Sequence, residues 1–423
     1  MTDDATRTPS RWQGHRLSDP PAGHARMCRL LGVRIDPDGA EVARVREGLM
    51  RGDDVADAFV AWAAEQKPGK GRELFERAVE GGLRAVPDAP ESLVRWFEPL
   101  EREPEWLDHD ALRLGCDTAW RAGPAGGDIL SAMALMGGYR SSAAVKPLSM
   151  TGALDRMVVR RIAETSRFVM DVYQSPSMGR FSAGFRSACR VRLMHTMVRR
   201  SLACRADWDE RAWGVPINQS DMAGTHLEFS AIFITGLTAL GFRFTPAERD
   251  AVMHLWRYVS VIMGVDDALL APDYPAGLRH MVIHALTNPH ADEDSRALAR
   301  ALHEMPLRLA ETPLERALAR VHTRYQTAVS RLTLGNEAVD DIGLPKAPLY
   351  PALLALSSAR FAVETVRQHV PALHERAIRH GRALQLRSVA DLIGDERLKY
   401  IPYGERHGAP AHRRPNTGAA SAA

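Results

Sequence analysis

The residues best suited to chemistry in this chain are one histidine and two arginines on a predicted helix over 182–206. Arg192, His195 and Arg199 stand at i, i+3 and i+7, so they share one face beside an apolar stripe. Guanidinium neighbours disfavour imidazolium, which lowers the pKa of His195 and favours the neutral imidazole that binds metals. Two nearby arginines also suit a ligand with two carboxylates. An iron porphyrin with two propionates fits this arrangement, although the same spacing also occurs around structural or surface histidines.

Two further groups of residues are candidates for binding or catalysis. Arg161 and Thr165 share a face at i, i+4 on the preceding helix, where the alternative is a solvated Arg/Glu face. Thr225 and His226 follow a Pro/Asn/Gln/Ser loop and lie in the first turns of an apolar helix. Gly224 beside them would permit close approach of a flat ligand. The alternative here is an ordinary helix N-cap in the loop, which is compatible with a functional role.

The elements that must position these residues are helices almost throughout. Thr245 and Thr312 each begin a capping box followed by proline and an apolar stripe of helical period. Alternating β-branched runs are scarce. Further helices are predicted over 40–51, 54–65, 71–84, 109–121, 127–138, 154–175, 221–240, 276–287, 293–304, 350–370 and 371–391. We therefore predict one all-α domain over 27–404, with loose tails over 1–26 and 405–423.

Composition excludes several classes of protein. Lys+Arg (55) nearly balances Asp+Glu (52), which gives no reason to expect nucleic acid or an anionic membrane as partner. The four cysteines lack the C-x-x-C spacing of thiolate zinc sites. The first residues are polar, and the longest uncharged apolar stretch, residues 229–242, is too short for a transmembrane helix. These features predict a cytoplasmic protein without a transmembrane segment.

An ordered series of segments resembles the MpaB/rubber-oxygenase family, which includes the latex clearing proteins. The resemblance is strong over about 110–275 and looser in the flanks. Its segments are Gly-Gly-Tyr-Arg-Ser (137–141), Ala-Val-Lys-Pro-Leu-Ser-Met-Thr-Gly (144–152), Arg-Arg-Ile-Ala-Glu-Thr (160–165), Arg-Val-Arg-Leu-Met-His-Thr-Met-Val-Arg-Arg (190–200), Trp-Gly-Val-Pro-Ile-Asn-Gln-Ser-Asp-Met-Ala-Gly-Thr (213–225) and His-Leu-Trp-Arg-Tyr-Val-Ser-Val-Ile-Met-Gly-Val-Asp (254–266).

The resemblance implies a globin-like helical core, one haem b per chain and His195 as the proximal iron ligand. Arg192, Arg199 and Thr225 are then predicted cofactor-binding residues, the arginines either pairing with the propionates or bracing their helix. Arg161 and Thr165 match the family's Arg and Thr on the helix across the haem. The family's characterised members use O2 to cleave carbon–carbon double bonds of isoprenoid chains.

Two positions depart from the latex clearing proteins. Glu164 replaces a lysine that can reach the iron, and Val145 falls where those proteins carry a catalytic glutamate. We therefore expect a small hydrophobic, possibly isoprenoid, substrate rather than rubber. Glu164, Thr165 and His226 are the residues predicted to hydrogen-bond bound oxygen or to transfer protons.

Two other functions remain open at the level of sequence. The first is a haem-binding sensor or carrier, which needs His195 but no turnover. The second is an all-α terpene cyclase, which requires an aspartate-rich magnesium motif. The pairs at 266–267 and 340–341 both lack the last acid of that motif.

Overall fold

The computed structural model describes residues 8–151, 154–174 and 178–393, and these residues form helices and turns without a β-strand. The α-helices are α1 His15–Ser18, α2 Ala22–Leu31, α3 Ala40–Gly48, α4 Asp54–Ala64, α5 Lys70–Gly81, α6 Glu91–Phe97, α7 His109–Arg121, α8 Pro124–Ile129, α9 Met136–Gly138, α10 Lys146–Met150, α11 Leu154–Tyr173, α12 Ala183–Ala203, α13 Glu210–Trp213, α14 Gln219–Phe229, α15 Ala231–Ala239, α16 Pro246–Ile262, α17 Tyr274–Thr287, α18 Glu293–Leu309, α19 Pro313–Leu334, α20 Asn336–Asp341, α21 Tyr350–Arg367 and α22 Pro371–Ile393. The all-α prediction is confirmed.

Helix boundaries follow the capping signals in the sequence. Both predicted capping boxes form: Thr245 begins α16 and Thr312 begins α19, each with a glutamate returning to the cap. Ser182 caps α12 by accepting a hydrogen bond from the backbone N–H of Phe185. These caps fix where the long helices start, and therefore which residues each helix turns toward its neighbours.

The main core lies where α7 and α16 cross. Gly115 on α7 permits this crossing, because a Cβ there would lie 2.5 Å from the carbonyl oxygen of Ala251. Trp256 of α16 stacks on Phe229 with ring centroids 4.4 Å apart, and it is fully buried. Helix α12 packs between this core and α4, while α11 packs along α12. The two helices that the sequence predicts for the site, α11 and α12, therefore pack against each other.

Three segments differ from the sequence predictions. The predicted tail over 1–26 is structured from residue 8 onward: it contains α1 and the first half of α2, and the Arg11 guanidinium is buried against Asp221. The predicted helix over 221–240 is interrupted at Ser230, which separates α14 from α15. The segment Leu130–Leu135 is a π-helical turn between α8 and α9. The predicted tail over 405–423 lies outside the described residues.

Candidate active site

A cavity of about 1630 Å³ lies among the helices that carry most of the predicted site residues. Its walls come from α9, α11, α12, α14, α15 and α17 and from the π-helical turn. Most of the lining side chains are apolar, among them Met133, Phe168, Met194, Ile232 and Met281. The volume exceeds the roughly 300–1,000 Å³ typical of small-molecule pockets, so the cavity has room for a large flat group together with a hydrophobic substrate.

His195 lines this cavity from α12 with an imidazole that has no partner among the described residues. Its Nδ1 is buried without a hydrogen bond, and Nε2 is the ring nitrogen that remains accessible. Burial, and secondarily the positive charge of Arg199, lower the pKa of His195 to about 4. The imidazole is therefore neutral near pH 7, which is the form that coordinates a metal. The predicted direction of the pKa shift is confirmed, with burial as the larger cause.

Arg192 and Arg199 lie on the side of α12 that faces α4, and neither lines the large cavity. Arg192 forms a bidentate ion pair with Asp53, at 2.7 and 2.8 Å, and its guanidinium lies over the Trp96 ring. Arg199 pairs with Asp57 at 2.9 Å. These ion pairs correspond to the predicted role of bracing the helix and not to the predicted pairing with haem propionates. The helix period that places them beside His195 could not reveal that α4 supplies their acids.

The three predicted residues of α11 all line the cavity. Arg161 donates to the carbonyl oxygen of Leu148 at 3.1 Å and to the hydroxyl of Thr151 at 3.2 Å. Glu164 accepts a hydrogen bond from the Arg160 guanidinium at 2.8 Å, which forms a salt bridge along α11. The Thr165 side chain is open to the cavity. The structure thus brings Arg161, Thr165 and His195 to one cavity.

The two predicted residues of α14 separate. Thr225 lines the cavity and donates back to the carbonyl oxygen of Asp221 at 2.9 Å. His226 points the other way: it is buried, its Nδ1 lies 3.1 Å from the Ser260 hydroxyl, and it does not line the cavity. The prediction that His226 contacts bound oxygen is therefore wrong for this structure. Successive helical residues point about 100° apart, and the sequence did not indicate which of the two faces inward.

His284 of α17 also lines the cavity. Its ring lies against Gly224, where a Cβ would come within 3.3 Å of Nδ1. Burial lowers the pKa of His284 to about 4, and its Nε2 is buried without a partner among the described residues. Gly224 therefore makes room for an imidazole of this chain.

Glu228, on the last turn of α14, is a cavity residue that sequence reasoning missed. Burial raises the pKa of this carboxyl to about 8. Its signal in the sequence is its place immediately before the longest uncharged apolar stretch, residues 229–242. An acid directly beside such a stretch is forced close to the core, and this context distinguishes it from an acid on a solvated face.

The described residues contain neither a cluster of metal-binding side chains nor a membrane-spanning helix. They contain no cluster of three or more His, Cys, Asp or Glu side chains that could hold a metal ion. Within the same residues, no helix combines the length and the apolar character needed to cross a bilayer.

An all-α fold with neutral histidines on the wall of a large cavity defines a helical protein suited to hold a ligand. The model of the family "ER-bound oxygenase mpaB/B'/Rubber oxygenase, catalytic domain" matches residues 120–368, so the chain belongs to this family. A rubber oxygenase of Streptomyces sp. (strain K30) is 26% identical over 294 residues, which span 66% of each chain. The fold is similar to a latex clearing protein in its closed state, with a TM-score of 0.58 and 22% identity over 84% of this chain and 92% of that one.

Proposed function

We propose that this protein is a haem b-dependent oxygenase that uses O2 on a small hydrophobic substrate of isoprenoid type. The observation that carries the proposal is the accessible Nε2 of His195 on a large apolar cavity, inside the segment that matches the oxygenase family. The rubber oxygenase relative supports the reaction class, and the apolar lining supports a hydrocarbon substrate. Residues 120–368 contain every cavity residue assigned a role below.

The residues present fit a haem. His195 offers a neutral imidazole nitrogen, and a single protein ligand suffices because the porphyrin supplies four nitrogens. The absence of a polydentate metal cluster among the described residues agrees with this requirement. When bound, haem supplies the redox chemistry that activates O2. Arg192 and Arg199 are already paired with Asp53 and Asp57. The haem propionates would therefore need other cations, or water, on the cavity side.

The protein's own contribution is binding, orientation and exclusion of water. His195 would hold the iron from α12 through Nε2. Thr165 of α11 and Thr225 of α14 present hydroxyls to the cavity that can orient a polar atom of the substrate or of O2. Phe168 and Ile232 belong to the apolar wall that would bind a hydrocarbon chain and keep water away from the reaction.

The first test is an absorption spectrum of the purified protein and of His195→Ala. We expect a Soret band in the parent with one haem b per chain, and loss of most of that band in the variant. Trp213→Phe changes a side chain that does not line the cavity, so it serves as a control and should keep the haem. Full retention of the Soret band in His195→Ala would exclude His195 as the axial ligand.

A haem sensor or carrier would pass the spectral test, so turnover must be measured separately. Oxygen consumption with squalene as the isoprenoid probe distinguishes the two functions. We expect consumption that depends on squalene and that is lost in His195→Ala. A haem-loaded protein that consumes no O2 with squalene or with shorter isoprenoid alkenes would favour the sensor or carrier.

A further inference from the structure

The carboxyl of Glu228 has an unusual position for an acidic side chain. It lies on the last turn of α14, directly before the interruption at Ser230, and its side chain borders the cavity. Among the residues that the structure describes, none donates a hydrogen bond or an ion pair to it. The negative end of the α14 dipole lies at this terminus and further disfavours a carboxylate.

The surroundings of Glu228 are built to hold the carboxyl at the cavity wall. Gly138 of α9 lies directly against Oε1, and a Cβ at this position would collide with the carboxyl oxygen. Phe229, the next residue, is fixed by its stack on Trp256. Gly138 on one side and the anchored Phe229 on the other fix the direction of the Glu228 side chain. Neither residue neutralises its charge.

Tyr139 links Glu228 to the part of the cavity that contains Arg161. The pKa of Tyr139 is raised to about 12, chiefly by burial and then by the charge of Glu228, while Arg161 acts in the opposite direction. Tyr139 also belongs to the same buried cluster as Val145. Glu228 on α14 therefore lies within electrostatic reach of the Tyr139 phenol, whose own buried cluster is apolar.

Five other described titratable groups of the cavity wall, Tyr139, Arg161, Glu164, His195 and His284, differ from Glu228 in their charge or their pairing. Tyr139 remains protonated at neutral pH, and Arg161 is bound to α10 and Thr151. Glu164 is paired with Arg160. On the opposite walls, α12 contributes His195 and α17 contributes His284, both with pKa values near 4, and α15 contributes Ile232 and Thr235.

We propose that Glu228 is the proton-transferring residue of the cavity. The inference rests on the proposed oxygenase function. The protonated carboxyl gives its proton to an oxygen atom of a molecule bound in the cavity and becomes a carboxylate. The carboxylate then regains a proton from water or from a hydroxyl of the product, so the residue is unchanged over one cycle. The pKa of about 8 makes both forms accessible near neutral pH.

The experiment compares Glu228→Gln with Glu337→Gln, a control that removes an exposed glutamate at the rim of the same cavity. Infrared titration of the purified protein from pH 5 to 10 follows the protonated carboxyl band. A band that titrates near pH 8, disappears in Glu228→Gln and persists in Glu337→Gln supports the proposal. If every carboxyl titrates in the ordinary acid range, the proposal is overturned.

The second measurement is squalene-dependent O2 consumption against pH in the haem-loaded proteins. Glu228→Gln should lower turnover by about 100-fold or more and remove the alkaline limb, with the Soret band intact. Glu228→Asp, which keeps a carboxyl, should recover part of the rate. An unchanged pH profile, or loss of haem in both Glu228 variants, overturns the proton-transfer role. Failure of the oxygenase function is recognised separately, because it abolishes turnover in the parent while the infrared titration is unaffected.

Discussion

Replacing Arg192 by methionine should destabilise the fold and leave haem binding largely unchanged. The exposed fractions of the Arg192 and Asp53 side chains are 9% and 8%, and Asp53 also caps α4 by accepting from the backbone N–H of Ala56. Removing the guanidinium leaves the carboxylate buried beside Trp96 without its partner. Breaking one side of a buried pair of this kind costs about 3–5 kcal/mol.

The expected change in melting temperature follows from the size of the chain. Unfolding entropy is about 2.1 cal/mol/K per residue, so the melting temperature of a chain of this length falls by roughly 3–6 °C for that loss of free energy. Calorimetry of the haem-free protein measures the change, and the Soret absorbance per chain measures haem retention in parallel. Arg199→Met is the matched comparison, because Asp57 is 36% exposed and water compensates for the lost partner.

The double variant Arg192→Met/Asp53→Asn completes the test. Asparagine keeps the helix cap while removing the buried charge, so at least half of the lost stability should return. The reasoning is refuted if Arg192→Met melts with the parent but loses its haem. That outcome would mean that the guanidinium binds a propionate and that its pairing with Asp53 contributes nothing to the fold.

The remaining predictions concern one charge, one position facing the cavity and one helix crossing. Between pH 4.5 and 8 the folded protein keeps a proton on Glu228 that the unfolded chain releases, so the parent should lose stability relative to Glu228→Gln as pH rises through this window. Parallel urea titrations at pH 5, 7 and 9 measure the difference in unfolding free energy between the two proteins. A difference that does not change with pH would contradict the prediction. Glu164→Lys should shift the ferric spectrum toward a six-coordinate low-spin form, while Glu164→Gln should not; identical spectra for both would place this side chain away from the iron. Gly115→Ala should lower the free energy of unfolding by about 1–3 kcal/mol, because the added Cβ would clash with the backbone of α16. Gly127→Ala, whose Cβ would contact no other atom within 4 Å, should be neutral or slightly stabilising. Urea unfolding of the two variants measures the difference.

Much of the fold followed from local signals in the sequence. Capping boxes at Thr245 and Thr312 and the apolar periodicity of α7 and α12 predicted helices whose ends agree with the structure to within a few residues. These features depend on neighbours within four positions along the chain, and so the sequence states them directly. The break at Ser230 was missed because the apolar character of α14 continues through it into α15.

The candidate site was predicted only in part, because cavity walls depend on contacts between distant segments. His195, Arg161 and Thr165 were found from helix faces and from resemblance, and the structure brings them together. The acids that occupy Arg192 and Arg199 lie more than 130 residues earlier in the chain, so spacing within α12 could not reveal them. Glu228 was missed because its one sequence signal, the apolar stretch that follows it, indicates burial but does not reveal a cavity.

The division of α12 into two faces gives a rule for altering the substrate range of this enzyme. The face toward α4 carries Arg192 and Arg199, whose ion pairs set the height and rotation of the helix. The neighbouring face, about 100° around the helix, presents the apolar side chains of Val191, Met194 and Val198 to the cavity. A combinatorial library confined to these three positions can reshape the space around a hydrocarbon chain while His195 stays in register. Substitutions on both faces would also break the ion pairs that position α12. Changes in selectivity could then not be separated from displacement of the helix.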